Sequence, residues 1–223
     1  MFQHVPNALT ASRLVLAGVF FALLGYYQYE GRGQDLGLLN WAFGLYLIAL
    51  FTDFLDGYLA RRWRVEGAFG RVVDPFVDKV LVLGTFIFFA GKNFIVQVDH
   101  PEKVVKTITG VAPWMVVLIL ARELLVTSLR GQSESTGQSF GAAFSGKFKM
   151  VSQSVTILVI LVYVNYFEGS HAPAAPWPDR FRYFRNFCIG ATLVVTVFSG
   201  LLYVQRGISL YRAGERAKAA EKG

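Results

Sequence analysis

Four aspartates, Asp53, Asp56, Asp74 and Asp78, crowd one segment of the chain, TDFLDGYLARRWRVEGAFGRVVDPFVDK, which runs from Thr52 to Lys79. Asp53 and Asp56 stand three apart and Asp74 and Asp78 four apart, so on helices each pair projects from one face. A short basic turn separates the pairs, makes the two helices neighbours and lets both pairs converge on one point. Carboxylates gathered in this way repel one another unless positive charge sits among them. Oxygen-only donors suit Mg²⁺, Mn²⁺ or Ca²⁺ rather than zinc, and no His or Cys accompanies them. Two such ions would clamp a pyrophosphate and stabilise charge on attacking and leaving oxygens. Gly57 and Ala60 leave room for a ligand to approach the helix backbone, Arg61 offers a phosphate partner, and Gly70 opens the turn before the second pair. The competing reading is a salt-bridge network with Arg61, Arg62 and Arg71, although buried ion pairs are a weak source of stability.

A second group is basic. Arg122-Glu123, Ser128, Arg130 and Gly146-Lys147-Phe148-Lys149 lie in and around a later connection. Arg122, Arg130, Lys147 and Lys149 could bind a phosphate on a molecule entering beside the metals. Equally, they could be basic anchors on the cytoplasmic side of a membrane. His4, His100 and His171 are scattered, and there is no Ser-His-Asp arrangement to suggest a covalent intermediate. Cys188, the one cysteine, excludes an intramolecular disulfide and sits in an apolar run.

The elements that must carry these residues are apolar. Hydrophobic residues make up 54% of the 223 and charged ones only 17%, against about a quarter in soluble domains. Six stretches approach the roughly 20 residues that a bilayer crossing needs. They run from about Leu9 to Tyr27, Leu36 to Leu59, Val72 to Ala90, Ile108 to Leu129, Met150 to Phe167 and Phe187 to Leu210. Backbone polar groups find no water in lipid, so all six are expected to be helices. The fold class expected is therefore an all-α integral membrane protein: one six-helix domain over residues 1–212, then a short charged tail over 213–223. Arg13 before a compact apolar run resembles a secretory signal, but no small-residue cleavage site follows and the segment is expected to be retained.

With the N-terminus in the cytoplasm, roughly twice as many Lys and Arg residues fall inside as outside, which favours both termini inside. Arg180, Arg182 and Arg185 run against that rule locally. The net charge of +7 has no polar basic domain to carry it, so it speaks for anionic headgroups rather than nucleic acid. The segment from His171 to Pro178 reads as an external loop.

Asp53-x2-Asp56-Gly57-x2-Ala60-Arg61-x8-Gly70-x3-Asp74-x3-Asp78 resembles, at every fixed position, the signature of the CDP-alcohol phosphatidyltransferases. The resemblance implies a six-helix membrane fold, usually a homodimer, in the inner (cytoplasmic) membrane with its active site facing the cytoplasm. It implies that Asp53, Asp56 and Asp74 hold two Mg²⁺ or Mn²⁺ ions, with Asp78 shared between metal binding and catalysis as the general base. Gly57, Ala60 and Arg61 would line the CDP site. Pro6-Asn7-x-Leu9-Thr10-x2-Arg13 resembles the family's first-helix pattern, whose polar residues lie near the nucleotide; Asn7 and Thr10 read equally well as helix caps.

The string ARELLVTSLRGQSESTGQSFGAAFSGKFKMVSQ is similar to the corresponding region of bacterial phosphatidylglycerophosphate synthases, and so is Asp74-Pro75-x2-Asp78-Lys79. Met150 stands where a Thr is usual, and the amino-terminal lead is very short. The implied partners are CDP-diacylglycerol, glycerol 3-phosphate, membrane lipids and a second copy of the chain. Inositol phosphate, phosphatidylglycerol or serine are the alternative acceptors. A divalent-cation transporter would instead set carboxylates near the midplane on broken helices. An inactive scaffold would leave the acidic cluster unexplained.

Overall fold

A computed structural model describes the backbone of residues 5–29, 36–63, 68–98, 104–135, 144–168 and 177–220, with side chains over 11–29, 37–53, 55, 76–77, 79–96, 106–133, 146, 148–168 and 179–209. Six α-helices account for most of it: α1 (Val5–Tyr26), α2 (Leu36–Trp63), α3 (Ala68–Phe89), α4 (Pro113–Ser135), α5 (Phe144–Tyr166) and α6 (Trp177–Ala220). Between α3 and α4 stands a small antiparallel hairpin, β1 (Ile95–Val98) and β2 (Val104–Thr107), with Ile95 opposite Thr107. Helices α2 and α3 both pack on α1, α5 lies against α2, α3 and α6, and α4 closes the bundle against α6 and α3.

Buried positions recur every three or four residues, as helix geometry requires. On α1 the inward stripe is Arg13, Ala17, Phe20 and Leu24; on α2 it is Leu39, Ala42, Tyr46 and Ala49, which continues to Asp53. The stripe of α4 is Val116, Ile119, Glu123 and Val126, and that of α5 includes Lys149, Gln153, Ile157 and Ile160. Apolar residues fill the middle of the bundle, and each of these four stripes also carries ionic groups toward one end. Polar contacts inside the bundle are paired across helices. Thr192 on α6 shares hydroxyl hydrogen bonds of 2.8 Å with both Ser152 and Thr156 of α5, the kind of link that holds helices together in an apolar medium.

The outward faces are apolar too. Leu14, Val15, Trp41, Ile48, Phe51, Trp114, Val117, Leu124, Val151, Val155, Phe187, Val194, Phe198 and Leu201 all stand exposed. That surface, spread over five helices, far exceeds what a soluble monomer leaves in water. Among the described residues, Phe148–Tyr166 and Asp179–Ser209 are long and apolar enough to cross a membrane, and shorter apolar helices cover Ala11–Tyr26, Gly37–Asp53 and Lys79–Phe89.

Several expected boundaries change. The hairpin is a small addition to the expected all-α bundle, and the fourth helix begins at Pro113 rather than Ile108, because Ile108 and Thr109 form the turn that leaves β2. The third helix starts at Ala68, so Gly70 lies inside it rather than in the turn before it. The fifth starts at Phe144, which puts Gly146 to Lys149 on a helix. The sixth begins at Trp177, with Pro178 in its first turn, where a missing N–H costs nothing. Arg180, Arg182 and Arg185 are therefore helical, and α6 continues through most of the charged tail. Residues 171–176 of the expected external loop lie outside the described residues.

Arg185 explains why basic residues sit at that end. Buried at the base of the hairpin, it donates to the Ile108 carbonyl at 2.6 Å and lies over the Tyr163 ring, 4.2 Å from its centroid. Gly110, with φ +74°, lets the backbone pass; a Cβ there would come within 3.0 Å of the guanidinium. Asn93 donates to the carbonyls of Leu24 and Gly25, and Thr109 to that of Phe89. These bonds tie the hairpin across three helices. Arg185→Met should destabilise the protein by about 1.5–3 kcal/mol, the worth of a hydrogen bond to a charged group, seen as a fall of several degrees in the thermal midpoint in detergent; an unchanged midpoint contradicts the anchoring role.

Candidate functional site

The acidic positions lie on α2 and α3, both of which pack on α1. Asp53, Asp56, Gly57, Ala60 and Arg61 are on the last turns of α2, and Gly70, Asp74 and Asp78 on the first half of α3. Each aspartate pair thus keeps the helical spacing that places it on one face. The side-chain surroundings of Asp56, Asp74, Asp78, Gly57, Ala60, Arg61 and Gly70 lie outside the described residues. Asn7 and Thr10 fall within α1, which starts at Val5. That places them inside the helix rather than at the cap position, and their side chains also lie outside the described residues.

Asp53 has its side chain described. Its Oδ1 accepts from Nη1 of Arg13 at 2.6 Å, with the Arg13 side chain almost fully buried and Asp53 about one-third exposed. The register of the two stripes brings them together: α1 runs inward from Arg13 while α2 runs outward to Asp53, so the last polar residue of each meets the other. Among the described residues, the partner of Asp53 is thus an arginine of the first helix. One carboxylate oxygen is engaged and the group stays partly open, consistent with an all-oxygen donor set for a hard divalent cation.

The basic group is built around a carboxylate. Glu123 and Lys149 are both buried, and Oε1 of Glu123 accepts from Nζ of Lys149 and, at 2.9 Å, from Nη1 of Arg122. Arg122 is held from α6 as well: its Nε donates to Ser199 Oγ at 3.1 Å, and its guanidinium lies 5.4 Å from the centroid of the Tyr203 ring. Gly200 leaves space for the Arg122 stem, since a Cβ there would stand 3.2 Å from Cγ. Lys79, the residue after Asp78, donates to Thr127 Oγ1 at 2.7 Å, and Thr127 donates back to the Glu123 carbonyl at 2.7 Å. Lys79 and Arg122 are both within electrostatic reach of the Lys149 ammonium. Among the described residues, nothing accepts from the buried Nη2 of Arg122. A buried donor of that kind costs free energy unless something accepts from it.

Of the four basic residues expected to bind phosphate, the structure joins Arg122 and Lys149. Arg130 stands exposed two turns further along α4. The Lys147 side chain lies outside the described residues. Thr127, Ser199 and Tyr203 had not been singled out, and Lys79 only as part of the aspartate run. Lys79 had a visible signal, as a cation inside an apolar stretch beside Asp78. Ser199 and Tyr203 had none, because they join the cluster only through the packing of α6 on α4.

A family model described as CDP-alcohol phosphatidyltransferase matches residues 3–204. The chain is 28% identical over 209 residues to a protein of Bacillus subtilis (strain 168) named CDP-diacylglycerol–glycerol-3-phosphate 3-phosphatidyltransferase, covering 91% of this chain and 94% of that one. Relatives of the same name from Cereibacter sphaeroides and Haemophilus influenzae are 29% and 30% identical, over 82% and 74% of this chain and 75% and 80% of their own lengths.

The Arg13–Asp53 pair predicts measurable coupling. A double-mutant cycle of Arg13→Ala and Asp53→Ala, followed by SDS-induced unfolding, should give an interaction of about 0.5–3 kcal/mol. Strict additivity of the two substitutions contradicts the pairing.

Proposed function

The chain belongs to the CDP-alcohol phosphatidyltransferase family, whose model spans residues 3–204, and from that premise we propose that it transfers the phosphatidyl group of CDP-diacylglycerol to sn-glycerol 3-phosphate, releasing CMP. The observation that carries the choice of acceptor is the Arg122–Glu123–Lys149 cluster, with its buried, unpartnered guanidinium N–H. Serine would bring one singly charged carboxylate, whereas a phosphate monoester brings up to two charges and three oxygens to meet both Arg122 and Lys149. The names of the relatives from Bacillus, Cereibacter and Haemophilus point to the same acceptor.

The protein acts as an integral enzyme of the inner membrane. Its six helices cross the bilayer, with both termini and the site on the cytoplasmic side, and two copies form the working unit. The exposed apolar faces of α1 to α6 support contact with lipid, and they give the acyl chains of the donor a place between helices. Asn7, Thr10, Gly57, Ala60, Arg61 and Gly70 bind the CDP moiety, the small residues because they let the pyrophosphate approach the helix backbone.

Asp53, Asp56, Asp74 and Asp78 would hold two Mg²⁺ or Mn²⁺ ions; when bound, these supply positive charge against the pyrophosphate and the leaving CMP. Asp78 takes the proton from the attacking hydroxyl of glycerol 3-phosphate. The freed oxygen forms its bond to the β-phosphorus, the bond from that phosphorus to the CMP oxygen breaks, and CMP leaves with the electron pair. Lys79, on the residue after Asp78, bridges the aspartate helix to the basic cluster through Thr127. Helix α3 therefore carries both the deprotonating Asp78 and the lysine that links it to the group that fixes the acceptor.

Purified protein given CDP-diacylglycerol and glycerol 3-phosphate should release CMP only with Mg²⁺ or Mn²⁺, with EDTA abolishing release and either ion restoring it. Asp78→Asn should cut the rate by about 10²–10⁴, the usual contribution of a general base, while the variant still unfolds at a higher temperature when Mn²⁺ is added. A near-normal rate for Asp78→Asn removes it as the base. A folded protein that releases no CMP with any acceptor removes the reading as a whole.

A further inference from the structure

Glu123 is an acidic residue in what would be an anion-binding site, and its place there needs a physical reason. It is buried, and it sits between two cations that are themselves nearly buried. Were it merely the counter-ion of one salt bridge, charge and hydrogen bonds would close on themselves. They do not. A single oxygen, Oε1, accepts from both Arg122 and Lys149, and among the described residues Nη2 of Arg122 is left without a partner. Lys79 adds a third cation within reach. Among the described residues, Arg122 and Lys149 share one carboxylate, which leaves one positive charge uncompensated, and Lys79 stands near Lys149 as a further cation. A phosphate monoester carries about −1.5 to −2 at neutral pH and would complete the balance.

Resting on the acceptor assigned above, we propose that Glu123 is a positioning residue for the acceptor's phosphate. It gathers the Arg122 guanidinium and the Lys149 ammonium onto one oxygen, so that their remaining N–H donors converge. It also trims the local charge to match a dianion. Long cationic side chains otherwise lose much rotamer freedom when a ligand orders them, and a fixed carboxylate meets that cost before the ligand arrives. Ser199 and Tyr203 brace Arg122 from α6, and Thr127 ties Lys79 to the backbone carbonyl of Glu123 itself. The fixed point of the arrangement is the one anionic member.

The test is steady-state kinetics of the full-length protein in mixed micelles, following CMP release while glycerol 3-phosphate and CDP-diacylglycerol are varied separately. Glu123→Gln keeps the shape and removes the charge. It should raise the KM for glycerol 3-phosphate at least tenfold and leave the KM for CDP-diacylglycerol within twofold, with kcat falling less than the acceptor KM rises. Glu123→Asp keeps the charge and draws it back by one methylene. It should give an intermediate acceptor KM, and it carries the test if the amide variant does not fold. An acceptor KM within twofold of wild type for a folded variant overturns the proposal, as does an equal rise in both KM values, the mark of a general structural role. If wild type itself shows no release dependent on glycerol 3-phosphate, the functional reading fails first and takes the proposal with it.

Discussion

A charge inside an apolar helix bundle has few stable states. It is paired, it binds a ligand, or it is lost to neutralisation. The buried contact of Glu123 with Arg122 and Lys149 satisfies the first condition only in part, and the remainder of the site follows from that shortfall. Three helices, α4, α5 and α6, must pack closely enough to bring these side chains and Ser199 together. The bundle meets that need with inward stripes that stay apolar over most of their length and turn ionic toward one end.

The same constraint acts on α1 and α2, where the stripes end in Arg13 and Asp53. Helix α3 connects the two ionic regions. It carries Asp74 and Asp78 on its backbone and, one residue later, Lys79, which reaches Thr127 on α4. The carboxylates proposed to bind metal and the cations proposed to bind phosphate therefore need no long-range device to stay in register. The opposite end of the bundle shows a different solution to buried charge. There Arg185 is satisfied by a carbonyl, an asparagine oxygen and an aromatic face, so it has structural work and no donor aimed at a ligand.

Much of this was legible in the sequence because the signals are local. The aspartate spacing survives as helical spacing on α2 and α3, six apolar stretches became six helices, and Arg122 and Lys149 meet on the Glu123 carboxylate. Errors fell where tertiary structure overrides local pattern. The hairpin at Ile95–Thr107 is stabilised by contacts to α1 and α6, so Ile108 looked like the start of a helix. Arg180, Arg182 and Arg185 looked like loop residues because charge in an apolar run suggests an end; packing under the hairpin instead lets α6 start at Trp177. Arg13 as the partner of Asp53 could not be read from spacing, since forty positions separate them. Ser199 and Tyr203 were illegible for the same reason.

The central claim is that the buried cluster reads a phosphate on the acceptor. It is tested most directly by the ratio of kcat/KM for glycerol 3-phosphate to that for glycerol, with the same CDP-lipid and the same metal. Two charge-assisted hydrogen bonds, each worth about 1.5–3 kcal/mol, place that ratio at roughly a hundredfold or more. Glycerol used within tenfold of glycerol 3-phosphate would contradict the account and leave the Arg122–Glu123–Lys149 cluster a structural feature.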